Sequence, residues 1–129
     1  MSVVARTVRG MNLDIGGITI DSTDPRRLAE FWTRALGLEV VFDADGWFLQ
    51  LSSPAHPGRP YLGLQKVAEE RAGKNRVHLD LGTEDREGEI KRLESLGATI
   101  RETHEMPGLT WTVLQDPEGN EFCVGSPHS

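Results

Sequence analysis

The chain has 129 residues, a length typical of one domain. Hydrophobic residues make up 37% of it and charged residues 26%, a balance that indicates a globular protein and excludes a fibrous repeat. Its single cysteine excludes an internal disulfide. No apolar stretch approaches the roughly 20 residues of a membrane-spanning helix, and no apolar segment follows Arg6 and Arg9 as it would in a secretory signal. We therefore expect no membrane association and a cytoplasmic location.

The charge balance is acidic. The sequence has 14 Lys and Arg against 20 Asp and Glu, which makes the formal net charge −6. Nucleic-acid-binding domains usually carry the reverse, a basic patch or stripe that neutralises phosphates. The short basic pairs Arg26-Arg27 and Lys91-Arg92 lie in predicted helices, where a solvated face is the simpler interpretation. We expect no nucleic-acid partner.

The first half of the chain predicts the order β-α-β-β-β. Residues 18–22 alternate apolar and polar side chains, which indicates a half-buried strand. Asp24 and Pro25 form a helix start, and Gly37 is placed to end that helix. Three more strands are predicted over residues 38–42, 47–51 and 61–67.

The second half repeats this order. The alternating residues 77–81 predict its first strand, Thr83 is placed to cap a helix, and Gly97 to end it. Later strands are predicted over residues 98–101, 111–115 and 121–124, with a tight turn at 116–119. Because neither half alone offers enough core, we expect a single domain over residues 1–129. It comprises module one at about 17–67, a linker at about 68–75 and module two at about 76–125.

Several short motifs have counterparts in a known superfamily. They are Ile20-Asp-Ser-Thr-Asp-Pro25, Phe31-Trp32, Leu36-Gly37, Arg76-Val-His-Leu-Asp80, Leu96-Gly-Ala98 and Asp116-Pro-Glu-Gly-Asn-Glu-Phe122. With them the chain resembles the vicinal oxygen chelate superfamily of glyoxalase I, bleomycin-resistance proteins and extradiol dioxygenases, in its glyoxalase-like branch. The resemblance implies an α+β fold in which two βαβββ modules form a curved, mixed-sheet cup with helices outside. It also implies a homodimer.

The resemblance further implies one metal ligand on the first and last strand of each module. Those positions fall here on Gly17, on Gly63 or Gln65, on Arg76 or His78, and on Cys123. A glyoxalase-type divalent site needs imidazole and carboxylate donors, and glycine and cysteine supply neither. We therefore expect no standard metal site and no cofactor, while a low-affinity divalent metal stays open.

Strand alternation identifies the side chains that would line the cup. It places Asp21, Gln65, His78, Asp80 and Cys123 on the inner surface, and Val77, Leu79, Leu81, Phe122 and Val124 on the helix side. His78, Asp80 and Asp21 are the candidate catalytic residues, because a histidine beside carboxylates suits acid–base chemistry. The alternative is a structural polar pair lining a wet cup.

The remaining candidates would bind a ligand. Trp47, Tyr61 and Trp111 are potential walls for a small, flat organic molecule, with Gln65 and Cys123 beside them. Cys123 could instead be an inert buried residue, and His56, His104 and His128 are expected in surface loops or the tail. The resulting hypothesis is a lyase or isomerase acting on a small organic substrate without the standard metal. The alternatives are a non-catalytic protein that sequesters an antibiotic or metabolite, and a metal-dependent glyoxalase or dioxygenase.

Overall fold

A computed structural model describes residues 12–127 of the chain. The chain divides between Glu69 and Glu70 into two compact units, which we call module 1 and module 2. Each module has one helix and one mixed four-stranded sheet in the order β-α-β-β-β. The predicted α+β fold of two βαβββ modules is therefore confirmed. That the modules together form a single domain stays a prediction.

Module 1 is built on a sheet in which the first and last strands are neighbours. The strand order is β1-β4-β3-β2, and β1 and β4 run parallel. Its elements are β1 (Gly17–Ser22), α1 (Pro25–Leu36), β2 (Glu39–Asp43), β3 (Phe48–Ser52) and β4 (Tyr61–Lys66).

Helix α1 begins and ends as its sequence predicts. The Asp24 side chain accepts a hydrogen bond from the Arg27 N–H, Pro25 occupies the first turn, and Gly37 closes the helix with a φ of +67°. The buried face of the helix and the buried side of the sheet together form the core of module 1. Its fully or nearly fully buried side chains are Leu28, Phe31, Trp32, Leu49, Leu51, Leu62 and Leu64.

Module 2 repeats the topology with strand order β5-β8-β7-β6 and a parallel β5–β8 pair. Its elements are β5 (Leu79–Gly82), α2 (Arg86–Leu96), β6 (Thr99–Met106), β7 (Leu109–Gln115) and β8 (Glu121–Pro127). Its core consists of Ile90, Leu93, Ala98, Leu114, Phe122 and Val124.

Three details of module 2 differ from the sequence prediction. Asp85, not Thr83, caps α2, and its carboxylate accepts from the Gly88 N–H. Strand β6 continues to Met106, so His104 lies in a strand and not in a loop. Val77 is 74% exposed and is not a core residue, because β5 starts to pair with β8 only at Leu79.

The turn before β8 is held by one buried carboxylate. Asp116 is 2% exposed, and its Oδ1 accepts from the N–H groups of Glu118 and Asn120 at 2.9 and 3.0 Å. The Asn120 side-chain amide also donates to Asp116 Oδ2 at 2.9 Å. This network sets the point at which β8 begins, so it also sets which residues of β8 face β5.

Replacing Asp116 with alanine should lower the free energy of unfolding by about 2–4 kcal/mol, because buried N–H groups lose a charged acceptor. Asp116→Asn keeps one side-chain oxygen and should cost less. Urea denaturation followed by circular dichroism measures both losses. An Asp116→Ala protein as stable as the parent chain would contradict this account of the turn.

Candidate functional site

One face of the module 1 sheet packs on α1, and we call the other its open face. Leu62 and Leu64 point to the helix side and are buried, so the alternating residues of β4 point to the open face. In the parallel β1–β4 register, Gly17 pairs with Tyr61, Thr19 with Gly63 and Asp21 with Gln65. Register partners share a face, so Asp21 and Gln65 lie side by side on the open face, as strand alternation predicts.

An aromatic surface lies on this face, and two glycines make room for it. A Cβ atom on Gly17 would overlap the Tyr61 ring, so the ring rests directly on the Gly17 backbone. A Cβ on Gly63 would lie 2.6 Å from Thr19 Oγ1 and 2.9 Å from the Phe48 ring. The Phe48 and Tyr61 rings meet edge to face, with centroids 6.4 Å apart. We call these two rings the aromatic floor.

The other predicted ligand-binding residues of module 1 lie at the far end of β4. Gln65 Nε2 donates to the Trp47 carbonyl at 3.2 Å, and Lys66 Nζ lies 5.1 Å from the centroid of the exposed Trp47 ring. Tyr61 and Gln65 are four residues apart on one strand, about 13 Å. The predicted residues of module 1 therefore form two groups. Phe48, a member of the aromatic floor, was missed, although its alternation with the buried Leu49 and Leu51 could have indicated it.

In module 2, the buried Phe122 and Val124 mark the side of the sheet that faces α2, and we call the other side its open face. Three candidate residues meet on this open face. Asp80 pairs with Cys123 in the parallel β5–β8 register, and His78 lies two residues before Asp80. His78 Nδ1 lies 3.2 Å from Asp80 Oδ1 and 3.9 Å from Cys123 Sγ. The side chains of His78 and Asp80 are 45% and 75% exposed, whereas Cys123 is 8% exposed.

This arrangement does not suit a thiolate nucleophile. Burial raises the pKa of the Cys123 thiol, and the neighbouring carboxylates of Asp80 and Glu121 raise it further. Both Asp80 and Cys123 approach the same ring nitrogen of His78. In a nucleophile–histidine–carboxylate relay, the two partners occupy opposite nitrogens of the ring. The Asp80 carboxylate and the Cys123 thiol therefore converge on Nδ1 of His78 and do not form a proton relay through the ring.

The same face carries a second pair of rings. His104 on β6 pairs with Trp111 on β7, and their rings stack with centroids 5.3 Å apart and planes 27° from parallel. Val113, two residues from Trp111, pairs with Cys123, so the stack and the polar cluster share the open face. Trp111, which the sequence predicts as a ligand-binding residue, therefore stacks on His104, which the sequence analysis placed in a surface loop or the tail.

A cavity of about 250 Å³ lies on the opposite face of module 2, between α2 and strands β6 and β7. Arg86 Nη1 donates to the buried Thr112 Oγ1 at 2.8 Å, and Thr103 Oγ1 shares that hydroxyl at 2.8 Å. None of the predicted site residues lines this cavity.

Three of the four positions implied for the superfamily metal, those on Gly17, on Gly63 or Gln65, and on Cys123, do not provide its usual imidazole or carboxylate donors. Gly17 has no side chain, and the Tyr61 ring lies over its backbone. Gly63 has none either, and the amide of Gln65 bonds to the Trp47 carbonyl. Within residues 12–127, one group of at least three His, Cys, Asp or Glu side chains could hold a metal ion together. It consists of His78, Asp80 and Cys123, whose donor atoms all lie within 4.8 Å of one another. His78 and Asp80 are an imidazole and a carboxylate, whereas the Cys123 thiol is not a usual donor of an octahedral site.

Comparison with known proteins identifies the family. A family model described as "Glyoxalase-like domain" matches residues 17–125. The chain belongs to the glyoxalase-like family. This membership confirms the resemblance to the vicinal oxygen chelate superfamily. No curated protein matches the chain in sequence.

Three solved structures illustrate the proteins that share this fold. A glyoxalase/bleomycin resistance protein/dioxygenase family enzyme from Burkholderia phytofirmans PsJN is 18% identical, with a TM-score of 0.75 over 90% of this chain and 100% of that one. Lactoylglutathione lyase from Agrobacterium tumefaciens is 23% identical, with a TM-score of 0.65 over 88% and 92%. The fosfomycin resistance protein FosX from Listeria monocytogenes, complexed with Mn(II) and 1S,2S-dihydroxypropylphosphonic acid, is 11% identical, with a TM-score of 0.73 over 88% and 90%.

At these identities the structural likeness shows the fold alone.

Among residues 12–127, no helix is both long and apolar enough to cross a membrane.

The aromatic floor generates a direct prediction, because Tyr61 is the only tyrosine in the chain. Incorporation of 3-fluorotyrosine should give a single ¹⁹F resonance. Gly17→Ala should shift that resonance, because the new Cβ forces the Tyr61 ring off the backbone. Gly16→Ala is the matched control, since a Cβ there meets nothing within 4 Å. An unchanged resonance in Gly17→Ala would contradict the placement of the ring.

Proposed function

We propose that this protein binds a small, flat organic molecule and acts on it as a lyase or isomerase, without the standard metal site of its superfamily. The observation that carries the proposal is the contact of 3.2 Å between His78 Nδ1 and Asp80 Oδ1 on the open face of module 2. Both side chains are exposed enough to meet a substrate. Membership of the glyoxalase-like family supports a small-molecule ligand.

In this proposal the two residues have different roles. The carboxylate of Asp80 accepts the Nδ1–H of His78, which selects the tautomer with a free Nε2. That nitrogen is the base that removes a proton from the substrate and returns it at another position. Asp80 does not touch the substrate and positions the ring. Asp21, exposed on the open face of module 1, stays a proposed further catalytic carboxylate.

Aromatic surfaces would supply most of the binding energy. Ring faces bury a large area with defined geometry, which favours planar ligands. In module 1 these surfaces are the aromatic floor and the exposed Trp47 ring, which lies against Lys66. Gln65, whose amide donates to the Trp47 backbone carbonyl, is proposed as a polar contact of the ligand. In module 2 the stacked His104 and Trp111 play the same part, close to Cys123.

The second candidate function is sequestration of an antibiotic or metabolite without turnover. The aromatic rings on the open face of each sheet favour it, because they would bind a flat molecule whether or not any proton is transferred. We do not propose a metal-dependent glyoxalase or dioxygenase of the usual type, because Gly17 and Gly63 stand where donors are needed. Homodimer formation and a cytoplasmic location stay predictions.

Tryptophan fluorescence and thermal shift against a library of planar metabolites and antibiotics should identify a saturable ligand. For that ligand, His78→Gln should lower kcat at least about 100-fold, because it removes the base, while binding changes little. His56→Gln, an exposed histidine of module 1, is the control and should leave both unchanged.

Two outcomes would decide against this mechanism. Turnover that survives His78→Gln would remove His78 from the chemistry. Saturable binding with no product for any ligand would favour sequestration.

A further inference from the structure

We propose that His78, Asp80 and Cys123 form a three-donor site for a soft divalent cation of the Zn²⁺ class, held entirely within module 2. The proposal goes beyond the proposed function, which uses only the metal-free pair of His78 and Asp80. His78 and Cys123 stand at two positions that the superfamily resemblance implies for metal ligands, and the site differs from that arrangement in using Asp80 and no ligand from module 1.

The spacing of the donors is that of a tetrahedral ion site. Zinc bonds of about 2.0–2.3 Å at tetrahedral angles put neighbouring N, O and S ligands roughly 3.3–3.6 Å apart. Here Nδ1 and Oδ1 are 3.2 Å apart, Nδ1 and Sγ 3.9 Å, and all three atoms lie within 4.8 Å. Small side-chain rotations would place them all at bonding distance from one ion.

The sheet holds two of the donors in advance of binding. The β5–β8 register sets Asp80 directly beside Cys123, and His78, just before β5, lies within 3.2 Å of Asp80 Oδ1. On the opposite face, the pairing of Leu79 with the fully buried Phe122 keeps that register. The positions of Asp80 and Cys123 therefore follow from the core packing of module 2, and His78, one residue before β5, reaches them from the segment that enters the strand.

Exposure leaves a route to the site and an open coordination position. Cys123 is buried at the bottom of the site, whereas the side chains of His78 and Asp80 are exposed to solvent. Three protein ligands leave the fourth position of a tetrahedral ion for water or a small molecule. A site closed by four protein ligands would have no such position.

The donor set also determines which ions bind. A thiolate with an imidazole favours Zn²⁺, Co²⁺ or Cd²⁺, whereas Mg²⁺ and Mn²⁺ prefer an all-oxygen shell. We expect this site to bind Zn²⁺ and Co²⁺ and to bind Mg²⁺ and Mn²⁺ far more weakly. Mn(II) is the ion named with the FosX structure, so the two sites would differ in selectivity.

One consequence rests on the proposed function. An ion bound to Nδ1 and to the Asp80 carboxylate separates the pair that is proposed to move the proton. Zn²⁺ should therefore inhibit turnover. The binding itself does not depend on turnover, so the two proposals can fail separately.

The test is a titration of the untagged protein with Co²⁺, followed by absorption spectroscopy. We expect visible bands of tetrahedral Co²⁺ together with a near-ultraviolet thiolate-to-cobalt charge-transfer band, saturating at one ion per chain. Cys123→Ser should abolish the charge-transfer band. His78→Gln and Asp80→Asn, both at exposed positions, should each weaken binding more than about tenfold.

A matched control is available in the same sheet. Glu102 and His104 also form a carboxylate–histidine pair, at 3.7 Å, with no thiol between them. Glu102→Gln with His104→Gln should leave the cobalt spectrum and affinity unchanged.

Two results would overturn the proposal. One is the absence of the charge-transfer band in the parent chain at saturating Co²⁺. The other is a spectrum and affinity that His78→Gln and Asp80→Asn leave unaltered. These two variants keep the test valid even if Cys123→Ser fails to fold.

Discussion

The parallel pairing of the first and last strand in each module is the constraint on which the candidate site depends. Parallel neighbours need a long crossover, and each module supplies it with a helix and two further strands. In module 2 the buried Phe122 and Val124 pair with Leu79 and Leu81. A slip of one residue would turn these apolar side chains outward and bury Asp80 without a partner. The apolar face therefore sets the register, and the register sets the polar face.

Most of the fold could be predicted because its signals are local. Helix starts at Asp24 and Pro25, the end at Gly37 and the turn at Asp116 follow from backbone chemistry that involves a few neighbouring residues. The alternation of side chains along β4 and β8 then indicated which of them face the helix and which face away from it. Val77 was assigned wrongly because alternation alone does not show where the partner strand begins.

The site was harder to predict because it depends on side-chain directions and on contacts between distant residues. The sequence shows that Gly17 has no side chain to bind a metal, but it does not show that the Tyr61 ring lies over the Gly17 backbone. His78, Asp80 and Cys123 were each identified, yet their convergence on Nδ1 of His78 is a property of rotamers and not of spacing. His104 was placed in a loop because β6 extends through a polar stretch that lacks apolar alternation. Membership of the glyoxalase-like family establishes the fold and leaves the chemistry to these residues.

The central claim is that Asp80 lies beside Cys123 on one face of the sheet, and the lone cysteine of the chain makes it testable by disulfide trapping. Neighbouring strands lie about 4.8 Å apart, within the Cα separation that a disulfide accepts. After mild oxidation, Asp80→Cys should lose both free thiols in a thiol assay, whereas Leu79→Cys, pointing to the helix face, should keep both. Disulfide formation in Leu79→Cys and not in Asp80→Cys would mean that the register is shifted by one residue, and it would contradict the site.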